Sequence, residues 1–227
     1  MERDWRMARP YYLGCDIGGT FTDFALIDPK TEEVRVHKCL STPDDPARAV
    51  FEGIEKFLDE DKECLRRTLE FIHGTTLVIN AIIERKGAKT ALVTTRGFKD
   101  LIEIARELRY EVYNFQIEYP VPLVPRYLRF EVSERMAYDG QVIEKLDERE
   151  VLSLIEELKK NGVESIAICF LHSYKNPRHE KRVRSIIQDR WPEVSISISS
   201  EVLPQIEEYE RTNTTIVNAY IKRVMED

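Results

Sequence analysis

No basic stripe runs along this sequence, and its 227 residues carry a formal net charge of −7. Nucleic acid is thereby excluded as the main partner, because nothing is set out to neutralise a run of phosphates. No apolar run approaches the length of a membrane span, and the opening MERDWRMARP lacks the apolar core of a signal peptide. Cysteine is sparse: Cys15, Cys39, Cys64 and Cys169 are scattered without paired spacing. They read as small buried hydrophobes in a reducing compartment, so the chain is expected in the cytoplasm. The four histidines form no H-x-x-x-H or similar set, which argues against zinc. No Ser-His-Asp order or reactive cysteine setting points to a covalent nucleophile. Internal repeats and low-complexity segments are lacking too. What is abundant is charge of both signs, 33% of residues, beside 42% hydrophobic residues, enough for the core of one large domain or two small ones.

Against these absences the stretch GCDIGGTFTDFALID, residues 14–28, stands out. Apolar runs of strand length flank Gly18-Gly19, which suits a hairpin turn. A plain hairpin needs only the glycines, yet Asp16 precedes them and Thr20, Thr22 and Asp23 follow. Glycines let a nucleotide phosphate approach backbone N–H groups, hydroxyls add donors, and a carboxylate at a strand's end can hold Mg²⁺ through water.

Strands are expected at 11–17, 22–28 and 33–40, then a helix opened by Asp45-Pro46 with Val50, Ile54, Phe57 and Leu58 on one face. A strand at 68–73 runs into Gly74-Thr75-Thr76 and a helix closed by Gly87; a strand at 89–94 precedes a helix at 98–106. The order βββαβαβα implies a mixed sheet with helices packed on it, where mononucleotide sites gather at the carboxyl ends of strands. Asp16, His73 and Arg96 all follow such ends. Residues 107–130, rich in proline and aromatics including Tyr110, Tyr113, Phe115 and Tyr119, read as an ordered excursion packed on the body. Beyond it come a strand at 131–136, an Asp139-Gly140 turn, a helix at 148–160 capped by Asp147 and closed by Asn161-Gly162, a strand at 165–171, a helix at 177–190 and a strand at 194–199. A last amphipathic helix, 207–225, presents Ile216, Val217, Tyr220 and Val224. The cation pairs Arg85-Lys86 and Lys159-Lys160 sit at helix ends, where they suit the dipole.

Taken in order, Asp16-Ile17-Gly18-Gly19-Thr20-Phe21-Thr22-Asp23, His73-Gly74-Thr75-Thr76 with Asn80-Ala81, Val93 to Asp100, Glu134-Arg135 and Glu210-Arg211-Thr212 resemble the hydantoinase A and 5-oxoprolinase family. The resemblance runs from Tyr12 to Tyr220. It implies an α/β fold of the actin, Hsp70 and sugar-kinase ATPase type, with a ribonuclease H-like mixed sheet and an inserted smaller α/β unit. The expected division is an ATPase-lobe core at 10–106, the excursion at 107–130, the smaller unit at 131–205 and a helix at 206–227. It also implies ATP and Mg²⁺ as cofactors, and a cyclic amide such as a hydantoin or 5-oxoproline as substrate, opened after phosphate transfer to its carbonyl oxygen. Related subunits serve acetone and acetophenone carboxylases, and a non-catalytic partner half is a further reading. In that fold ATP lies between two lobes, so a downstream second lobe and a hydantoinase B-type subunit are implied partners, and the sequence reads as an N-terminal portion or a separately encoded half.

Phosphoryl transfer is chiefly positioning and charge stabilisation. Gly18, Gly19, Thr20 and Thr22 are assigned to the phosphates and Asp16 to Mg²⁺ or its water; Asp23 serves there or closes the hairpin. Thr75 and Thr76 both cap a helix and suit an anion at its N-terminus. His73 polarises a substrate carbonyl or is a structural histidine, and Arg96 offsets charge on a phosphorylated intermediate or makes a surface salt bridge; both alternatives stand. Asn80 reads as a brace for the Thr76 turn, Glu134, Arg135 and Arg211 as architectural ion pairs, and His172 and His179 as surface residues. The tyrosines of the excursion are expected to line a substrate cleft.

Overall fold

Alternation between apolar and polar residues in the first eighty positions builds a sheet with one face against a helix. The structure, a computed structural model, describes residues 11–42, 45–107, 113–114 and 116–226. These fall into two compact units that divide between Glu84 and Arg85.

The first unit contains β1 (Tyr11–Ile17), β2 (Phe21–Asp28), β3 (Glu33–Leu40), α1 (Pro46–Glu60), α2 (Cys64–Arg67), β4 (Thr68–Thr75) and α3 (Leu77–Ile83). Its sheet has the order β3-β2-β1-β4, antiparallel except for the parallel β1–β4 pair. Every second residue of β1 and β2 turns inward, so Leu13, Cys15, Phe24 and Leu26 are buried with Phe57 of α1. Gly53 of α1 is required there: a Cβ would sit 2.1 Å from the Phe24 ring. Pro46 opens α1 as expected, but the Asp45 side chain does not cap it; the Thr42 hydroxyl accepts from Ala49 N instead.

The second unit contains β5 (Thr90–Thr95), α4 (Leu101–Ile104), β6 (Arg129–Val132), β7 (Arg135–Met136), β8 (Val142–Glu144), α5 (Glu148–Lys160), β9 (Ser165–Cys169), α6 (Arg178–Arg190), β10 (Ser195–Ile198), α7 (Ser199–Val202) and α8 (Glu208–Glu226). The four-stranded sheet has the order β10-β9-β5-β6 and is parallel throughout. TALVTT and SIAIC are buried along their whole length, as the inner strands of a parallel sheet must be. β7 and β8 form a separate antiparallel ribbon around the expected turn, where Gly140 has φ +89°.

Further expectations change. The strand expected at 131–136 breaks into β6 and β7, which join different sheets. β5 does not extend the first sheet but lies between β9 and β6, so the second unit begins at Arg85 rather than beyond the excursion. The helix expected to end at Gly87 stops at Ile83, and Arg85 takes the left-handed conformation at φ 57°. Gly87 is needed for a different reason, since a Cβ there would lie 2.1 Å from the Tyr220 ring. The excursion packs chiefly through aliphatic residues: Val124 and Leu128 enter the core with Phe130 packed against it, whereas Tyr113 is 92% exposed and Tyr119 and Tyr127 are exposed. Tyr110 and Phe115 lie outside the described residues, as does the side chain of Val224. Ile216 and Tyr220 of α8 are buried as the amphipathic pattern requires. Among the described residues no helix is long and apolar enough to cross a membrane.

Candidate functional site

The β1–β2 hairpin and the β1–β4 pair together assemble the loop motif and the Gly-Thr-Thr motif. Asp16 stands opposite Asp23 on β2 and Gly74 on β4; Ile17 stands opposite Thr22 and Thr75. Between the hairpin strands, Gly18 N donates to Phe21 O at 2.9 Å, and a Cβ on Gly18 would lie 2.9 Å from that same oxygen. Gly19 is less confined: the atom nearest to where its Cβ would be is Asn80 Nδ2 at 2.9 Å, the end of a side chain that can turn aside. Neither glycine has a positive φ. At Gly18, space and not backbone conformation excludes a side chain.

The loop is held from both sides. Ser41 donates through its hydroxyl to Gly18 O (2.7 Å) and through its N–H to Thr20 O (2.9 Å). Thr22 is fully buried and its hydroxyl meets Ser41 Oγ at 3.0 Å, so it braces the loop from beneath rather than facing a ligand. From β4 and α3, Thr76 N donates to Ile17 O at 3.1 Å, and the Thr75 and Thr76 hydroxyls each reach that carbonyl at 3.4 Å. Asn80 donates to the Thr76 hydroxyl at 3.3 Å, the brace expected from its position one turn along. Gly19, Thr20 and Thr75 remain exposed around this scaffold.

Asp16 is exposed and has no ion-pair or hydrogen-bond partner among the described residues. Gly74 makes room for it: a Cβ there would lie 3.3 Å from Asp16 Oδ1. Both residues line a groove of about 760 Å³ on the sheet face away from α1, with Gly14 and Ala25 as its floor and Val36 and Ile72 at its sides. Asp23 is occupied by Lys38, its cross-strand neighbour, at 2.7 Å. His73 belongs to the opposite face, because it pairs with inward-facing Cys15 while Asp16 pairs with Gly74; its ring stacks on Phe71 at 6.5 Å. Burial pushes the Cys15 thiol up to about 11, which keeps it protonated beside this cluster.

A metal bound here would rest on few protein ligands. Among the described residues no group of three or more His, Cys, Asp or Glu could hold one. Magnesium fits that donor set: it keeps several waters and is usually held by one or two carboxylates plus phosphate oxygens. A single carboxylate without a partner among the described residues, beside a Gly-Gly turn, is such an arrangement.

Arg96 belongs to the second unit, where its guanidinium donates to Ser133 Oγ (2.8 Å) and Glu150 Oε1 (2.5 Å). Ser133 N and then Arg96 hold the Glu150 carboxyl below the usual range. The next residues, Gly97 and Lys99, turn their N–H groups on Glu131 Oε1 at 2.7 and 3.4 Å. That anion cradle is filled by the protein's own carboxylate.

Sequence reasoning missed the buried polar network of this unit. His179 is not a surface residue; it is 6% exposed, with Nδ1 2.7 Å from Glu134 Oε2. Thr95 Oγ1 donates to the other oxygen of Glu134. Glu180, beside His179, accepts from Phe170 N (3.0 Å), Ser199 Oγ (2.5 Å) and Ser200 N (2.9 Å). Arg211, also fully buried, donates to Phe170 O at 2.8 Å and to Ser173, Ser199 and Glu208. The architectural role expected of Glu134 and Arg211 is what these contacts show. Arg135 instead lies over the Phe98 ring, 4.9 Å from its centroid. His172, half-buried, has a positive φ of 56° and an Nδ1 without a hydrogen-bond partner among the described residues. Asn176-Pro177 preceding His179-Glu180 marked a helix start, but nothing in that pattern told a buried first turn from a solvated one.

Comparison with known proteins identifies the family. Residues 12–191 match the family described as the hydantoinase/oxoprolinase N-terminal region. The chain is 38% identical to the caprolactamase subunit alpha of Pseudomonas jessenii, over 95% of this chain and 32% of that protein. It is 33% identical to the 5-oxoprolinase of Saccharomyces cerevisiae, over 94% of this chain and 19% of that protein. Among solved structures, nucleotide-free acetone carboxylase superposes with a TM-score of 0.85 at 31% identity, and the ATP-dependent caprolactamase from Pseudomonas jessenii with 0.84 at 37%. Each match covers 95% of this chain and 32% of the other. The chain thus spans about a third or less of the length of these relatives. With the family match over most of its length, and with an α/β architecture shared with two of its solved structures, this chain belongs to the hydantoinase/oxoprolinase family, as its N-terminal region.

Proposed function

We propose that this chain supplies the phosphate-facing part of an ATP-dependent enzyme that opens cyclic amides, in an ATPase lobe of the actin type. The observation that carries the reading is Asp16, an exposed carboxylate at the end of β1, unpartnered among the described residues, beside a Gly-Gly turn in which Phe21 O leaves no room for a side chain at Gly18. The reading draws further support from relatives named as a caprolactamase subunit and a 5-oxoprolinase, and from the solved caprolactamase, which is described as ATP-dependent. In it, Asp16 holds Mg²⁺ through water, the amides of Gly19 and Thr20 and the Thr20 hydroxyl receive phosphate oxygens, Gly18 lets them approach the backbone, and Thr75 and Thr76 keep the neighbouring strand end in place. Bound Mg-ATP would supply the phosphoryl group that turns an amide carbonyl oxygen into a leaving group. Thr22 acts as a brace. His73 and Arg96 stay outside the phosphate site in this reading, since His73 projects from the other sheet face and Arg96 is held by Glu150.

The second reading, the ATP-using part of a ketone carboxylase, rests on the superposition with acetone carboxylase, as good as that with caprolactamase. Product analysis separates the two: bicarbonate-dependent carboxylation marks the ligase, ring opening without bicarbonate the hydrolase.

Titration with Mg-ATP, followed by amide resonances, tests the site itself. One loop offers a fraction of the groups a nucleotide needs, so the expected affinity is millimolar, about −4 kcal/mol. Gly18, Gly19 and Thr20 should shift, and Asp16→Asn should abolish the Mg²⁺ dependence while leaving the fold intact. Shifts confined to other segments, or equal Mg²⁺ dependence in the variant, would remove Asp16 from the mechanism.

A further inference from the structure

The first turn of α6 borders a cavity of about 590 Å³ together with β8 and the start of α5. Its volume falls within the range of small-molecule sites. Its lining is cationic in a chain whose net charge is negative: Lys145, Arg178, Lys181 and Arg182 all face it, with Glu148 as the one acid. Arg182 is neutralised by Glu148 through two hydrogen bonds of 2.7 Å. Lys145, Arg178 and Lys181 make no ion pair among the described residues, so three positive charges are left without a counter-charge around one concavity.

A buried histidine also lines it. His179 is more than nine-tenths buried, and its Nδ1 is committed to Glu134, which is anchored in turn by Thr95. Thr95 is itself fixed by Leu171 N at 3.1 Å. The ring orientation is therefore set by a chain of hydrogen bonds reaching from β5, and Nε2 is left without a partner among the described residues. His179 sits in the first turn of a 13-residue helix, where the dipole adds to the attraction for an anion. The cavity also lies on the carboxyl-end side of a parallel sheet whose strand order reverses between β5 and β9, the side on which open α/β sheets bind ligands.

We propose that this cavity is a binding site for a phosphorylated small molecule, with Arg178, Lys181 and Lys145 pairing the phosphoryl oxygens and His179 Nε2 exchanging a hydrogen bond with one of them. Val142 and Leu146 form an apolar wall for the uncharged part of the ligand. The site is independent of the Gly18–Gly19 turn and does not rest on the proposed ATP chemistry.

The test is calorimetric titration with pyrophosphate, inorganic phosphate and ribose 5-phosphate at low salt, with amide resonances mapping the contact. Pyrophosphate should shift the amides of 178–182. Arg178→Ala/Lys181→Ala, both exposed, should weaken it at least about tenfold. Lys159→Ala/Lys160→Ala removes as much positive charge from the far end of α5 and should change nothing. His179→Gln should weaken binding as well; should it unfold the chain, the Arg178/Lys181 variant still decides. Ribose 5-phosphate binding tighter than inorganic phosphate would identify an organic ligand, and the reverse an inorganic one. Absence of binding, equal loss in the Lys159/Lys160 control, or shifts confined to residues 18–20 would overturn the proposal.

Discussion

Replacing Arg211 with methionine removes one cation from the core while keeping most of the side chain's volume. Arg211 is fully buried, and its loss takes one donor from the Phe170 carbonyl, which keeps Ser173 N, and from the Ser173 and Ser199 hydroxyls, which keep each other. It also leaves Glu180, 3.9 Å away and equally buried, without its positive neighbour. Breaking a buried pair in this way costs about 3–5 kcal/mol, because one charge stays behind. Two features place Arg211→Met near the lower bound. Glu180 keeps three hydrogen bonds, from Phe170 N, Ser199 Oγ and Ser200 N. Methionine also fills the space well enough to limit any cavity. At roughly 2–4 °C per kcal/mol for a protein of this size, a loss near 3 kcal/mol lowers Tm by about 6–12 °C. Urea unfolding at unchanged slope gives the free energy directly. Adding Glu180→Gln to Arg211→Met should recover part of the loss, since the stranded charge is removed with its partner. A single-variant loss below about 1 kcal/mol, or a double variant that merely adds a second loss, would refute the idea that these groups act as one unit.

Further outcomes follow from other contacts. Gly87→Ala drives a Cβ into the Tyr220 ring and should cost about 1–3 kcal/mol, with Tyr220→Leu in the same chain restoring part of it in thermal melts. Gly53→Ala should act likewise through Phe24, but on the transition of the first unit. The Glu150 carboxyl is held low by Ser133 N and Arg96, so its stabilising share is complete above the pKa it has when unfolded and disappears as pH falls through the lower folded value. Carboxyl NMR titration should show that low midpoint, and Arg96→Ala should raise it. Cys15 and Cys169, both pushed up to about 11 by burial, should resist alkylation at pH 8 by roughly a hundredfold relative to free thiol until the chain is denatured.

The first unit was largely legible from sequence because its signals are local. Alternation in Tyr11–Ile17, the Gly-Gly turn and the Asp28-Pro29-Lys30 turn specify hairpins, and the strand bounds agree to within one residue for β1, β2 and β3. Asp147 and Gly162 bounded α5 for the same reason: cap chemistry is read from neighbours, and both act as expected. Partners far apart in sequence were not legible. Nothing in TALVTT says which sheet it joins, since a run buried on both faces fits either; pairing with residues some 75 positions on decides it. Thr22 has the composition of a ligand donor, yet strand alternation turns it inward to Ser41. His179 looked solvated because α6 is rich in charge, whereas one of those charges, Glu180, is itself buried beside it.

The β1–β4 pairing has a consequence for how the first sheet forms. β1, β2 and β3 are joined by short turns, so their pairing closes only small loops. β4 must return across α1 and α2 to lie parallel to β1, pairing Tyr11 with Thr68. Closing that longer loop costs more chain entropy before any contact compensates for it. The three-stranded meander therefore forms first and β4 docks late, which brings the Gly-Gly turn into being before the Gly-Thr-Thr segment that supports it. Substitutions in β2 should slow refolding, whereas those in β4 should chiefly hasten unfolding. The carboxylate at the end of β1 thus acquires its glycine neighbour on β4 only in the last step of assembly.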